Sequence, residues 1–247
     1  MTVSQFLAVA MLLASLSAQA AGPPIATTPP LLNDSAAGAA LAAELRNARP
    51  MDETELKGTL KIRRKDQITK IPVISQVKPG EQVWSAVYRA LATNQTETLV
   101  VKHEKGRPNE YRYAAAGGTN TAAAEPPATQ DIWRPFAGSD FSLADLGLEF
   151  LHWPKQVLVL NEMRKNRACH MLESRPAVTN AYARVVSWVD VETGALLLAE
   201  AYTPGNRRVK EFEVKRFTKS GDRWQLEEME MRHLTNGSRT VMEFDAQ

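Results

Sequence analysis

Residues 155–202 decide the fold class, and they read KQVLVLNEMRKNRACHMLESRPAVTNAYARVVSWVDVETGALLLAEAY. Short segments that alternate between apolar and polar residues are separated by runs such as Lys165-Asn166 and Asp190–Gly194. Gly, Asn and Asp accept the backbone angles of tight turns, and tight turns join antiparallel neighbours. The same pattern continues to Asp245. It predicts an antiparallel meander, which forms one large curved sheet with two faces.

Alternation elsewhere in the chain predicts further strands of the same kind. The predicted strands are Glu55–Arg63, Ile68–Val77, Gln82–Ala90, Thr96–Glu104, Glu110–Ala115, Lys155–Arg164, Arg167–Ser174, Tyr182–Val189, Ala195–Tyr202, Val209–Thr218, Trp224–Leu234 and Thr240–Asp245. A sheet of this size is either a closed barrel or an open one that holds something in its concavity. We therefore expect a mainly β protein of the α+β type, with an open antiparallel barrel or curved sheet.

Two segments break the β pattern and predict helices. Ser35–Arg49 has Asp34 or Ser35 as a possible cap and ends before Pro50. In Ser142–Trp153, Ser142 and the acidic residue three positions later resemble a capping box. Its apolar residues recur at spacings of three and four, which predicts a short helix that covers one opening or face of the sheet. The Ala- and Gly-rich stretch Ala114–Asp131 predicts a mobile surface loop.

The N-terminus has the features of a secretory signal peptide. Phe6–Leu16 is an uninterrupted run of apolar and small residues, and Ala18-Gln19-Ala20 supplies a small-x-small cleavage pattern. The run is too short to span a bilayer. We expect a signal peptide over residues 1–21, a flexible leader over 22–34 and a single domain over 35–247. These features predict a periplasmic protein whose mature chain has no integral membrane segment.

Composition limits the classes of function. Hydrophobic residues make up 44% of the 247 residues, which supports a real core, and the net charge of +2 predicts no strong attraction to nucleic acid. Cys169 is the only cysteine, so no internal disulfide can form, and we expect it to be a small core residue. Interleaved charges such as Arg63-Arg64-Lys65-Asp66 indicate a solvated strand tip.

Motifs for catalysis are weak. His103, His152, His170 and His233 are scattered, without the spacing of a metal site. Gly138-Ser139-Asp140 has the look of a nucleophile turn, but no partner for the serine is visible, and we expect turn and cap residues instead. The sequence therefore predicts a protein that is not an enzyme and has neither a metal nor a cofactor. A hydrolase whose site is assembled from distant residues is the weaker alternative.

Several motifs together resemble a known family. They are PFAGSDFS at Pro135–Ser142, then Asp145-Leu146, SWVD at Ser187–Asp190, Ala201-Tyr202 and Val209-Lys210. In this order they resemble the outer-membrane lipoprotein-sorting protein family, which belongs to the LolA-like periplasmic lipoprotein carrier superfamily. The resemblance covers roughly Met51 to Asp245. It implies an incomplete antiparallel barrel with helices over its mouth, an apolar cavity for acyl chains, and an envelope exporter of the resistance-nodulation-division type as a possible partner.

A carrier of this kind needs a continuous apolar wall, because each buried methylene contributes about 0.8 kcal/mol. Lys210 lies between apolar positions, and it is either a surface lysine or a contact to an anionic headgroup or partner at the cavity rim. The candidate wall consists of the aromatic, Met and Leu residues Trp84, Tyr88, Trp133, Phe136, Phe141, Leu146, Phe150, Trp153, Met229, Met231, Met242 and Phe244. The alternative is that these residues fill a solid core.

Two functions follow from the sequence. The first is a carrier that binds lipid or lipoprotein acyl chains in an apolar cavity for outer-membrane lipoprotein sorting or transport. The second is a β-sheet interaction module that docks on an envelope exporter or assembly through an edge strand or the covering helix, without lipid cargo. Bound lipid favours the carrier, and a filled core without bound lipid favours the interaction module.

Overall fold

The computed structural model describes residues 32–117, 128–179, 181–220 and 223–245, in which twelve strands form one antiparallel sheet. The sheet is preceded by helix α1 (Ser35–Asn47), and a short helix α2 (Leu143–Leu146) and a 3₁₀ helix (Glu149–His152) lie between β5 and β6. The strands are β1 Thr54–Arg64, β2 Gln67–Lys78, β3 Val83–Ala92, β4 Gln95–Glu104, β5 Glu110–Gly117, β6 Lys155–Arg164, β7 Arg167–Arg175, β8 Arg184–Asp190, β9 Leu196–Tyr202, β10 Arg208–Ser220, β11 Arg223–His233 and β12 Ser238–Phe244.

The sheet consists of two meanders, β1 to β5 and β6 to β12, which are joined through the pairing of β1 with β12. The strand order is β5-β4-β3-β2-β1-β12-β11-β10-β9-β8-β7-β6. Strands β5 and β6 are consecutive in the chain, yet they form the two edges of the sheet. The segment that joins them carries α2 and the 3₁₀ helix. The predicted fold class, a mainly β open antiparallel sheet with covering helices, is confirmed.

The seam between the N-terminal and C-terminal halves is the β1–β12 pair, in which Gly58 lies opposite Phe244 and Leu60 opposite Met242. A Cβ atom on Gly58 would lie 2.1 Å from the backbone oxygen of Glu243. Only glycine therefore lets these two strands approach as they do.

The main core lies on the concave face of the sheet. Leu60, Tyr88, Leu99, Leu172 and Met229 are fully buried there, as the alternation of their strands requires. A smaller apolar cluster lies on the convex side of β7 to β9 and contains Cys169, Val186, Trp188, Ala195 and Leu197. Cys169 is a buried free thiol, so the prediction of a small core residue is confirmed.

Helix α1 covers the β6 edge. Asp34 caps it by accepting a 2.9 Å hydrogen bond from the Ala37 amide. A Cβ on Gly38 would lie 2.5 Å from the amide nitrogen of Leu158, so the helix backbone packs directly on β6. The described part of the predicted leader is not free, because the Leu32 amide donates a 2.7 Å hydrogen bond to Val159 and Asp34 bridges Leu158. The predicted signal peptide lies outside the described residues.

Two predictions about the irregular segments are corrected. The single helix expected over Ser142–Trp153 is two separate turns, because Leu148 adopts a left-handed φ of 50° and reverses the chain between α2 and the 3₁₀ helix. The loop expected over Ala114–Asp131 is wrong at both ends, since β5 continues to Gly117 and Ala128 bridges Arg112. Its middle, residues 118–127, lies outside the described part. Of the helices described, none has the length and apolar character needed to span a bilayer.

Candidate functional site: the lid and the concave face

Residues 131–153, which we call the lid, lie over the concave face of the sheet. A capping box fixes the start of α2: the Ser142 amide donates to Asp145 Oδ2 at 2.8 Å, and the Asp145 amide donates to Ser142 Oγ at 3.1 Å. This turn directs the apolar side chains of α2 towards the sheet, where Leu143 and Leu146 are fully buried.

Aromatic side chains extend the apolar underside of the lid. The rings of Phe136 and Tyr88 meet edge to face with centroids 6.3 Å apart, and those of Phe141 and Phe212 do so at 6.4 Å. Phe136 is fully buried and Phe141 is 1% exposed. The lid therefore covers a continuous apolar surface on β3 and β10.

A carboxylate fastens the lid to β12. Asp140 is buried and accepts hydrogen bonds from the hydroxyl groups of Ser238 and Thr240, the latter at 2.7 Å. The Asp140 amide in turn donates to Thr240 Oγ1 at 2.9 Å. Asp140 therefore has the turn role expected from the sequence, and it also holds this turn against the sheet.

A second polar contact joins α2 to β10. Lys210 Nζ lies 2.9 Å from Asp145 Oδ2 and 2.7 Å from the backbone oxygen of Asp140. The Tyr182 hydroxyl donates to Asp145 Oδ1 at 3.0 Å. Side-chain exposure is only 14% for Lys210 and 12% for Asp145, so this is a largely buried ion pair. Burial, reinforced by the Asp145 charge, raises the pKa of Tyr182 well above its ordinary value, which keeps the phenol protonated as a donor.

The far end of the lid rests on β4 and β5. Asn109 Nδ2 donates to the backbone oxygen of Gly147 at 2.8 Å, and the Tyr111 hydroxyl donates to Glu149 Oε2 at 2.9 Å. Burial raises the pKa of Glu149. A Cβ on Gly147 would lie 2.3 Å from the Tyr111 hydroxyl oxygen, so the chain passes this tyrosine at a distance that only glycine allows.

Two histidines lie beside these contacts at the far end of the lid, which we call the anchor. His103 stacks on Trp84 with ring centroids 3.8 Å apart, and its Nε2 has no hydrogen-bond partner among the described residues. Burial lowers the pKa of His103 to about 3, with a smaller contribution from His152. Burial, together with the charge of Arg46, lowers the pKa of His152 to about 4. Both imidazoles are therefore neutral at pH 7.

A cavity of about 30 Å³ lies beneath the lid, beside the Lys210–Asp145 pair. Its walls are otherwise apolar. They are formed by Leu148, Phe150, Val185, Leu196, Ala199, Ala201, Phe212 and Met231, with Tyr182 beside the ion pair. A volume of this size holds about two water molecules, whereas sites for small-molecule ligands measure about 300–1,000 Å³. With the lid in this position, this cavity between described residues is too small for an acyl chain.

The structure gathers the predicted wall residues on one face, but few of them line the cavity. Tyr88, Phe136, Phe141, Leu146, Phe150, Trp153, Met229, Met231, Met242 and Phe244 all belong to the concave core, and Trp84 and Trp133 pack against it. Of these, only Phe150 and Met231 border the cavity, together with Lys210. Met229 and Met242 lie directly opposite each other on β11 and β12. The role of these residues in binding stays a prediction.

Sequence reasoning missed the opposite wall of the cavity, which β8 and β9 supply through Val185, Leu196, Ala199 and Ala201. Phe212 could have been predicted from the sequence, because it is two positions from Lys210 and therefore on the same face of β10. Tyr182 gave no signal, since it precedes β8 and reaches the site only through the fold. In the described ranges, no group of three or more His, Cys, Asp or Glu residues is placed to hold a metal ion.

Comparisons with known proteins support the architecture. Residues 91–247 match the model of a family whose description is "Uncharacterized protein", and because the match covers more than half of the chain, the chain belongs to that family. No curated protein matches the sequence.

Solved structures share the fold at low sequence identity. A DUF1329 family protein from Desulfovibrio piger superposes with a TM-score of 0.67 at 17% identity. A putative outer membrane lipoprotein-sorting protein domain from Vibrio parahaemolyticus gives 0.67 at 14%, and a LolA superfamily protein from Nitrosomonas europaea gives 0.56 at 16%. Each similarity covers 86% of this chain and 92% of the other chain. The fold is thus LolA-like, as the motifs predicted.

Proposed function

We propose that this protein is a non-catalytic periplasmic carrier that binds a lipid, or the acyl chains of a lipoprotein, between the curved sheet and the lid. The observation that carries the proposal is the lid itself, whose apolar underside covers the concave face while polar contacts fasten its ends. The fold shared with a lipoprotein-sorting domain and a LolA superfamily protein supports the same class of cargo. The predicted signal peptide supports the location.

The size of the cavity requires the lid to move. A space of about 30 Å³ cannot hold an acyl chain, so cargo has to take the place of the lid side chains. Phe136, Phe141, Leu143 and Leu146 each contribute about 2 kcal/mol by burial, or about 8 kcal/mol together. About ten methylenes of an acyl chain contribute the same amount at about 0.8 kcal/mol each. The two apolar contributions therefore cancel, and the remaining cost of opening is the loss of the polar lid contacts, including the Lys210–Asp145 pair.

The polar groups of the site fit binding better than bond chemistry. Lys210, Asp145 and Tyr182 bond to one another, which neutralises the only charged pair that borders the described cavity. When the lid lifts, Asp145 leaves with it, and Lys210 remains on β10 as a cation beside an apolar wall. We infer that it then faces an anionic headgroup. The exporter partner suggested by the sequence has no support in the structure or in the similar proteins.

Filling the cavity tests the proposal. Ala201 is buried in the cavity wall, and Ala201→Phe places a ring in the space needed by the cargo. Ala116→Phe is the matched control, because Ala116 is an exposed residue on β5. We expect the wild type and the control to bind cis-parinaric acid, with fluorescence enhancement, and Ala201→Phe to bind about tenfold more weakly. Circular dichroism establishes that both variants are folded.

No binding by the wild type, or equal binding by all three chains, contradicts a carrier with this cavity. That result favours the interaction module, which needs no space larger than the cavity of about 30 Å³.

A further inference from the structure

A row of arginines crosses the convex face near the β1–β2 hairpin. Arg63 on β1 lies directly opposite Arg239 on β12, which lies directly opposite Arg232 on β11. Residues that are directly opposite across strands share a face. Their neighbours Ile62, Thr240 and Met231 are buried on the concave side, so the arginines face outwards.

Anions inside the protein neutralise only part of this row. Like charges directly opposite each other on a sheet are destabilising. Glu230, which is 1% exposed, forms ion pairs with Arg232 and Arg239. By contrast, Arg63, Lys65 and Lys70 have no ion-pair partner within 4 Å among the residues that the structure describes. Glu243 attracts Lys70 at longer range, and the exposed Asp66 lies beside Lys65, but cations outnumber anions at this corner of the sheet.

An exposed apolar side chain lies within this corner. Ile68 on β2 is directly opposite Arg63, and 60% of its surface is exposed. Lys70 is two residues further along the same strand and therefore on the same face. A large β-branched residue at a solvated hairpin end contributes nothing to the core.

The corner also adjoins the lid. Arg64 Nη2 donates a 2.6 Å hydrogen bond to the backbone oxygen of Gly138. An open hollow of about 500 Å³ lies beside it, lined by Arg64, Lys65, Asp66, Gln67, Asn236 and Ser238. Its volume lies within the range of about 300–1,000 Å³ that is typical of small-molecule sites.

We propose that the corner formed by Arg63, Lys65, Ile68 and Lys70 docks on the surface of a lipid bilayer that contains anionic lipids. A bilayer offers negative charge at its surface and apolar chains beneath, which matches exposed cations around one exposed isoleucine. An acidic protein would satisfy the cations but not the isoleucine. The inference rests on the proposed function only in giving a carrier its approach to a bilayer.

Co-sedimentation of the mature chain with vesicles tests this proposal. The wild type should bind vesicles of phosphatidylcholine mixed with phosphatidylglycerol, bind pure phosphatidylcholine far less, and dissociate as salt is raised. Each basic residue near an anionic surface contributes about fivefold in affinity, so Arg63→Ser with Lys70→Ser should weaken binding about 25-fold. Ile68→Ser should weaken it roughly tenfold, and that loss should persist at high salt.

The control removes the same charge elsewhere. Lys78 and Lys105 are exposed at the opposite ends of β2 and β4, and Lys78→Ser with Lys105→Ser should leave vesicle binding unchanged. Equal losses in the two double variants, or no binding by the wild type to anionic vesicles, would overturn the docking surface. Binding of cis-parinaric acid by the Arg63→Ser, Lys70→Ser variant should stay at the wild-type level, so failure of docking and failure of the cargo site are distinguishable.

Discussion

At the scale of single residues, Lys210 connects the sheet to the lid. The sequence left it as either a surface lysine or a contact at the cavity rim, and the structure places its ammonium against Asp145 and the Asp140 backbone of the lid. Removing one member of a buried ion pair leaves the other charge uncompensated. The Lys210–Asp145 pair therefore joins the lid to β10.

Lys210→Met is expected to lower the free energy of unfolding by about 3 kcal/mol, because Asp145 stays charged and buried. It should also accelerate hydrogen exchange at the amides of Leu143 to Leu146, since the lid loses a contact. Lys215→Met is the control, because Lys215 pairs with Glu213 on the convex face. Denaturant titration and exchange mass spectrometry measure the two effects. Equal exchange in α2 for both variants would show that Lys210 does not hold the lid.

The residues of this site were only partly predictable. The spacing of Ser142 and Asp145 predicts a capping box from the local sequence alone. That Asp145 also accepts from Tyr182, 37 residues away, is a consequence of tertiary packing and leaves no trace in the local sequence. The burial of Lys210 likewise depends on the lid rather than on its own strand.

At the scale of elements, the strands followed their alternation closely. β6 has the predicted bounds, β2 extends one residue beyond its predicted bounds at each end, and β7 extends one residue at its C-terminal end. The lid did not follow its pattern, because the stripe of Leu and aromatic residues is compatible with one continuous helix. Contact between Gly147 and the buried Tyr111, with the left-handed Leu148, breaks that helix. Such contacts outweigh helical periodicity in a short segment.

The anchor at the far end of the lid is expected to make stability depend on pH. The pKa values of His103 and His152 are lowered to about 3 and about 4, while both are near 6.5 in the unfolded chain. Between pH 6.5 and these lowered pKa values, the unfolded state binds protons that the folded state does not. Stability should therefore be complete above pH 6.5 and fall as the pH drops, by about 1.4 kcal/mol per pH unit for each histidine.

Glu149 acts in the opposite direction, because its raised pKa lets the folded state take up a proton first. The opposing effect of Glu149 on stability is confined to the pH range between its raised pKa and the unfolded value of 4.5. Denaturant unfolding from pH 7 to pH 5 measures the slope with little contribution from unfolded carboxylates. His103→Gln should reduce that slope by up to about 1.4 kcal/mol per pH unit, and the rest comes from His152 and from His170, whose pKa burial also lowers. An unchanged slope in this variant would contradict a buried neutral His103.

At the scale of the whole molecule, the sheet depends on the β1–β12 seam. Hairpins between consecutive strands could be predicted from turns, but pairing between the first and last strands could not, since nothing local specifies it. This seam makes one sheet of two meanders and creates the concave face that the lid covers. Resemblance to the lipoprotein-sorting family implied an incomplete barrel with helices over its mouth, but it did not identify the β1–β12 pair.

Gly58→Ala is expected to destabilise the protein by about 3 kcal/mol, because its Cβ would meet the backbone of Glu243 and Phe244, which cannot move without separating the strands. Gly205→Ala is the control, since its Cβ would have no neighbour closer than 3.9 Å, and it should change stability by no more than about 0.5 kcal/mol. Thermal unfolding of the two variants compares them directly. Similar melting temperatures would show that the seam tolerates expansion and is not decisive.

Native mass spectrometry of the mature protein, purified from a bacterial envelope without detergent, tests the carrier most directly. We expect a population whose mass exceeds that of the polypeptide by one lipid or acylated peptide, and we expect Ala201→Phe to lose this population while Ala116→Phe retains it. Only bare polypeptide in the wild type, before and after incubation with phospholipid, would contradict a sheet and lid that enclose cargo.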